Sequence, residues 1–323
     1  IDVSSFTCSP DIIQQWVEGV LLGAYRFTDY KTEKKPLPKI KVTLLVKTLS
    51  PPLREAVLTG ERFAHATNRA RDWATMPAND LNPETFVTIA KKALKGSGVS
   101  VSVIDGTAAK KRGMNALLGV GKGSAIPPRL LVMKYNIKRT NKQKDRPVAL
   151  VGKGVTFDTG GISLKPSKGM SDMKADMSGA AAVLSTMVAL GQFKPKLPVL
   201  GLIPLAENMP GGLAQRPGDV VTAMNGKTIE ILNTDAEGRL ILADALCYAV
   251  KEGASKIVDI ATLTGAREVA LGSDICAVFS NHSELAAELQ QLSWQCHDPL
   301  WQLPLYAKYL AQFKSTVADC TNC

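Results

Sequence analysis

Two carboxylates and a guanidinium stand at alternate positions in Asn233-Thr234-Asp235-Ala236-Glu237-Gly238-Arg239-Leu240, a stretch set among apolar residues. In an extended segment, positions i, i+2 and i+4 share a face, so Asp235, Glu237 and Arg239 are expected to converge. A charged triplet aimed into an apolar setting needs a partner, and a metal ion or an anion meets that need. The same residues also suit a solvated turn that opens a helix. Asn233, Thr234 and Asp235 are good N-caps, and the chain from Leu240 onward has a helical pattern.

A second charged run begins where the apolar residues 148–152 end. Lys153 leaves that segment, a glycine-rich turn carries Asp158, and Lys165 and Asp176 follow before the small residues 178–182. Neither Gly152-Lys153-Gly154 nor Gly119 to Ser124 has the G-x-x-x-x-G-K-S/T spacing of a phosphate loop. A dinucleotide fingerprint fails as well, because the expected helix and acidic residue do not follow the glycines. Together, Asp158, Asp176, Asp235 and Glu237 bring four negative charges to strand ends. Like charges at close range raise one another's pKa, and two divalent cations would neutralise them. Beside such ions Lys153 can serve as a neutral amine ligand, whereas Lys165 can stay protonated as an electrophile. Arg239 offers a planar fork to an anion. Buried salt bridges, Asp158 with Lys153 and Asp176 with Lys165, are the plainer alternative. The chain has only three histidines, His65, His282 and His297, and no H-E-x-x-H. Any metal site is therefore expected to use carboxylates and something other than imidazole.

The elements that must position these residues are legible from periodicity. Helices are expected over 10–29, 53–74, 84–94, 180–190, 240–250 and 283–294. Strands are expected over 41–47, 99–104, 129–135, 148–152, 199–204, 256–261 and 275–279. Prolines mark joints at Pro36 and Pro38 and at Pro51 and Pro52. Short apolar strands alternating with helices predict an α/β fold, a mixed central sheet flanked by helices on both faces. Ligands in such sheets lie at the carboxyl ends of the strands, where the charged residues fall.

The totals agree with a soluble globular protein. The chain has 323 residues, 45% hydrophobic and 21% charged, and its length suggests about two domains. No apolar run reaches the length of a membrane span and no signal peptide is seen, so a cytoplasmic location is expected. Six scattered cysteines do not form a disulfide framework, and the lone Cys320/Cys323 pair falls short of a zinc knuckle. The formal charge of +10 is spread along the chain. Its densest run, Lys138, Arg139, Lys142, Lys144 and Arg146, reads as a solvated loop. Aromatic content of 6% is low for stacking on nucleic acid.

Residues Asn233 to Leu240, together with Gly152 to Pro166, Lys174 to Met177 and Ile257 to Gly265, resemble the signatures of the M17 leucyl aminopeptidase family. The likeness covers nearly all of residues 10–323. It implies a zinc-exopeptidase-like (phosphorylase/hydrolase-like) fold. It also implies a metal-dependent aminopeptidase that hydrolyses the N-terminal peptide bond of peptides, preferring leucine-like residues, with water activated by two divalent ions. By the resemblance, Asp158, Asp235 and Glu237 hold one ion, and Lys153, Asp158, Asp176 and Glu237 the other. The ions are zinc or manganese, with magnesium and cobalt as alternatives. Lys165 then polarises the scissile carbonyl, and Arg239 holds a bicarbonate that acts as general base. Met173 and Thr262 line the pocket for the first residue, and Leu263 gives a backbone contact to substrate. The implied partners are peptide substrates and further copies of the chain in a homohexamer. Set against the family, residues 1–50 are expected to be the remnant of an N-terminal α/β domain. Residues 51–323 are expected to form a catalytic domain that stops short of a final helix and strand. Two other functions are open: DNA binding, which has only the +10 charge behind it and would show a salt-steep affinity, and a structural homologue without peptidase activity, against which the intact ligand set speaks.

Overall fold

The computed structural model describes residues 9–33, 41–137 and 146–323. Helices α1 (Pro10–Gly23), α2 (Pro51–Thr75) and α3 (Pro83–Ala93) precede strand β1 (Val99–Ile104), and short helices α4 (Gly106–Lys111) and α5 (Asn115–Val120) lead to β2 (Arg129–Tyr135). Next come β3 (Val148–Gly152), β4 (Gly154–Asp158), α6 (Ser178–Phe193), β5 (Val199–Asn208), β6 (Val220–Thr222) and β7 (Thr228–Glu230). The remainder holds α7 (Gly238–Lys251), β8 (Lys256–Ile260), α8 (Ala266–Leu271), β9 (Cys276–Val278), α9 (Ser283–Gln295), β10 (Leu300–Gln302) and β11 (Cys320–Thr321).

Local chemistry explains several boundaries. Helices α1, α2 and α3 each open on proline, whose missing N–H is one of the unpaired donors of a first turn. Asn82 and Thr85 close a capping box at the start of α3. Helix α1 ends at Gly23 rather than at the expected Asp29. Over 41–47 the expected strand is replaced by an isolated bridge at Leu45. Leu44 and Val46 pack on Ile13 and Ala56 between α1 and α2. The Pro36 and Pro38 joint lies outside the described residues.

The central sheet runs β1-β2-β5-β3-β8, with β4 also paired to β5. β1 and β2 are antiparallel, as are β2 and β5, whereas β3, β4 and β8 join their neighbours in parallel. Strand β5 does not stop at Pro204. Its ladder continues to Asn208 because β4 supplies partners from Leu205 onward. Both faces of the sheet are covered. Leu117, Val120, Leu240 and Ile241, from α5 and α7, pack on one face with Val132, Val151 and Leu202. Trp73, Phe86, Leu184 and Met187, from α2, α3 and α6, pack on the other with Leu131, Met133 and Ile203. The mixed sheet between two helical layers is thus the expected one. Its parallel strands send Lys153, Asp158 and Asn208 to the same edge.

Candidate metal centre

Strands β3 and β4 form one path along β5, broken at Lys153. At the break the Lys153 N–H donates to Ile260 O at 3.0 Å, and its carbonyl accepts from the Ala180 N–H at 2.9 Å. Helix α6 therefore starts hard against the sheet. Its second residue must be glycine, because a Cβ at Gly179 would overlap the Ile260 carbonyl. That contact sets Asp176, just before α6, beside Lys153.

Two ion-pair groups result. Lys153 Nζ lies 2.9 Å from Asp176 Oδ1 and 2.9 Å from Glu237 Oε1, and donates to Thr262 O at 2.8 Å. Lys165 Nζ lies 2.7 Å from Asp158 Oδ2 and pairs with Asp235 Oδ1 as well. The lysines are thus partnered the other way round from the salt bridges the sequence suggested. Lys153, which leaves a buried strand, meets the acids at the entries of α6 and α7, and Lys165, on the loop, reaches across to the strand end. Asp158, Asp235 and Glu237 each offer a ligand atom within 4.8 Å of the others. Four carboxyl groups face two ammonium groups, so with all four ionised the centre carries an excess of negative charge.

The titration of these groups follows. Burial pushes the Asp176 carboxyl up to about 7, despite the opposing Lys153 ammonium. Burial raises Glu237 as well, and the Asp158 charge adds to it. Burial alone would lower both lysines. For Lys153 the charges of Glu237 and Asp176 outweigh it, and for Lys165 the hydrogen bonds to Asp158 and Asp235 do so, leaving both ammonium groups above their ordinary range.

The octapeptide is not extended. Residues Asn233 to Ala236 form a turn, closed by Ala236 N–H to Asn233 O at 3.2 Å and Asp235 N–H to Asn233 Oδ1 at 2.8 Å. Glu237 then takes the N-cap place of α7 with a helical backbone. Asp235 and Glu237 still converge, through a turn rather than a pleat. Arg239 falls inside the first turn of α7, half-buried, and makes no hydrogen bond or ion pair among the described residues. Gly238 allows this packing. A Cβ there would lie 2.7 Å from Lys153 Cε and 2.8 Å from Nζ. Gly238→Ala is expected to push the ammonium from its partners at a cost of about 1–3 kcal/mol; an unchanged thermal unfolding midpoint would show that Lys153 has room to shift.

The remaining candidates border this cluster. Thr262 Oγ1 donates to Asp176 Oδ1 at 2.7 Å, and Leu263 beside it is 45% exposed. Met173 is half-buried, and its carbonyl accepts from Asp176 N–H at 3.3 Å. Sequence reasoning missed three supports. Ser163 and Thr234 exchange backbone-to-hydroxyl bonds at 2.8 and 3.1 Å, tying the Lys165 loop to the octapeptide. Buried Asn322 accepts from Leu232 N–H at 2.9 Å and donates to Asn233 O at 2.7 Å, holding the turn from behind. Asn208 bonds Asp158 at 2.8 Å. Its signal was available: a polar pair, Glu207 and Asn208, at the end of an apolar strand.

A family model described as "Cytosol aminopeptidase family, catalytic domain" matches residues 68–323, which include every residue of the cluster. The chain belongs to this family. Among curated members, a "Probable cytosol aminopeptidase" of Rhizobium johnstonii is 46% identical over 100% of this chain and 65% of its own length. One of Solibacter usitatus is 48% identical over 95% of this chain and 63% of its own. Among solved structures, the bottromycin maturation enzyme BotP in complex with Mn superposes with a TM-score of 0.87 at 40% identity, covering 97% of this chain and 66% of that one. The chain thus spans just under two thirds of the length of these family members.

Proposed function

We propose that the protein acts as a metal-dependent aminopeptidase, removing N-terminal residues, leucine-like ones preferred, from peptides. The observation that carries this reading is the convergence of Asp158, Asp235 and Glu237 within a chain of the cytosol aminopeptidase family. The donor set fits divalent ions. Carboxylate oxygens are hard ligands, the carboxyl groups outnumber the ammonium groups, and Asp176 Oδ2 is buried with no hydrogen-bond partner among the described residues. In this reading Asp158, Asp235 and Glu237 hold one ion, and Asp158, Asp176 and Glu237 the second together with Lys153, which would serve as a neutral amine once an ion displaces its proton. The complex of BotP with Mn favours manganese, with zinc, magnesium and cobalt as alternatives. Bound there, the ions supply Lewis acidity to the scissile carbonyl and to an attacking water.

The chain's own residues do the rest. Lys165, anchored by two carboxylates, keeps its ammonium aimed at the developing charge on the carbonyl oxygen. The Arg239 guanidinium, with no hydrogen bond or ion pair among the described residues, is the seat for a bicarbonate, which would serve as general base in place of a histidine. The free α-amine of the substrate is placed on the Lys153 and Asp176 side of the centre. Met173 and Thr262 line the first-residue pocket, and Leu263 offers backbone to the peptide. All of these residues fall in 51–323, the proposed catalytic unit. A cytoplasmic homohexamer completes the reading; among the described residues no helix is long and apolar enough to cross a membrane.

The test is hydrolysis of leucine amide by the Mn²⁺-loaded protein. Chelation should abolish it, fresh Mn²⁺ or Zn²⁺ should restore it, and N-acetyl-leucine amide should resist. Cleavage that survives chelation, or that ignores acetylation, would sink the proposal. No observation favours DNA binding. Lys138, Arg139, Lys142 and Lys144 lie outside the described residues, and the Arg146 guanidinium is committed to the carbonyls of Gly253 and Ala254 at 2.9 and 3.1 Å.

A further inference from the structure

Asn208 closes β5 in register with Asp158 at the end of β4. Residues paired across neighbouring strands project to one face, and Asn208 is 4% exposed. Its amide nitrogen donates to Asp158 Oδ1 at 2.8 Å and to the carbonyl of Thr234 at 3.0 Å, so both N–H bonds are used. Asp158 Oδ1 also accepts from Gly160 N–H at 2.9 Å. That oxygen is therefore doubly engaged, and Oδ2 is the one turned toward Lys165. Thr234 immediately precedes Asp235. One buried amide thus joins the carboxylate at a strand end to the turn that carries Asp235 and Glu237.

We propose that Asn208 is a positioning residue of the metal centre. It fixes which oxygen of Asp158 faces the centre and sets the spacing between Asp158 and Asp235, without touching substrate. This inference rests on the proposal that Asp158, Asp235 and Glu237 hold a divalent ion. Ligating carboxylates depend on such outer partners for orientation, and losing one weakens metal binding by about 10–100-fold. A role as a mere brace makes a different prediction, since it would lower stability and leave coordination alone. The backbone at Asn208 is anchored independently, its carbonyl accepting from the Thr159 N–H at 3.0 Å and hydroxyl at 2.8 Å. Side-chain variants should therefore keep the strand.

The test titrates the metal-free full chain with Mn²⁺ by calorimetry and records its paramagnetic resonance spectrum at saturation. Asn208→Ala is expected to bind Mn²⁺ about 10–100-fold more weakly and to give an altered saturated spectrum, with circular dichroism unchanged. Asn208→Ser keeps one donor and should fall between alanine and wild type; it also serves if alanine prevents folding. Folded variants with wild-type affinity and spectrum would overturn the inference. So would an affinity loss that merely tracks thermal stability while the saturated spectrum stays the same. A wild-type chain that takes up no Mn²⁺ would remove the metal centre, and this inference with it, a result distinct from variants that bind as wild type does.

Discussion

Lys165→Met is expected to lower leucine amide turnover by about 10²–10³-fold while leaving metal uptake intact. The two lysines of the centre look alike in sequence and differ in placement. Lys153 has a side chain only 3% exposed and enclosed by Asp176, Glu237 and the Thr262 carbonyl. Lys165 has a side chain 21% exposed and approaches from a loop, so its ammonium can meet a bound substrate. Its hydrogen bonds to Asp158 and Asp235 outweigh burial and keep it protonated at neutral pH. A charge held ready beside the carbonyl stabilises the oxyanion with little reorganisation, which is where such donors have their largest effect. Methionine keeps the length and apolar stem but removes the charge. Metal content measured on the same preparation separates this outcome from loss of the centre. A variant with near-normal turnover would show that the ammonium has no part in the chemistry.

Lys153→Met should act on stability first. The substitution leaves Asp176 and Glu237 buried side by side without their shared cation. Removing one partner of a buried ion pair costs about 3–5 kcal/mol, which lowers the unfolding midpoint of a chain this size by on the order of 10 °C. Burial already raises both carboxyls, so part of the loss should be relieved by protonation as pH falls. Added Mn²⁺ should restore part of it too, because a dication can replace the missing ammonium. Calorimetric scans of the metal-free variant, with and without Mn²⁺, read both effects. A midpoint that neither drops nor responds to Mn²⁺ would contradict the charge arrangement described for Lys153.

Much of the sheet was legible because its strands are short, apolar and bounded by turn residues. Strands β1, β2 and β3 fall on the expected residues. The errors have physical causes. Pro204 looked like a strand end, but β4 extends the ladder past it. Residues 41–47 have strand composition, but among the described residues they form a single bridge at Leu45 and pack through Leu44 and Val46 against α1 and α2. Within the site, charge type and order identified all six ionisable members of the cluster before any geometry was known. Their pairing was not legible, since which lysine meets which acid depends on the break at Lys153 and on how closely α6 approaches the sheet. The alternation was sound as a sign that Asp235 and Glu237 converge and wrong in mechanism, because a turn and a helix start replace the pleat; Arg239 makes no hydrogen bond or ion pair with them. The partners of the asparagines were not legible either. A polar pair at the end of an apolar strand marks Asn208 as unusual, but the groups that Asn208 and Asn322 bond come from distant parts of the chain.

Four carboxylates and Lys153 are proposed to hold two ions. Anomalous scattering at the manganese edge from crystals of the Mn²⁺-loaded protein tests this proposal most directly. Two manganese peaks are expected, one among Asp158, Asp235 and Glu237 and the other among Lys153, Asp158, Asp176 and Glu237. A single peak, or manganese bound only elsewhere on the chain, would contradict it.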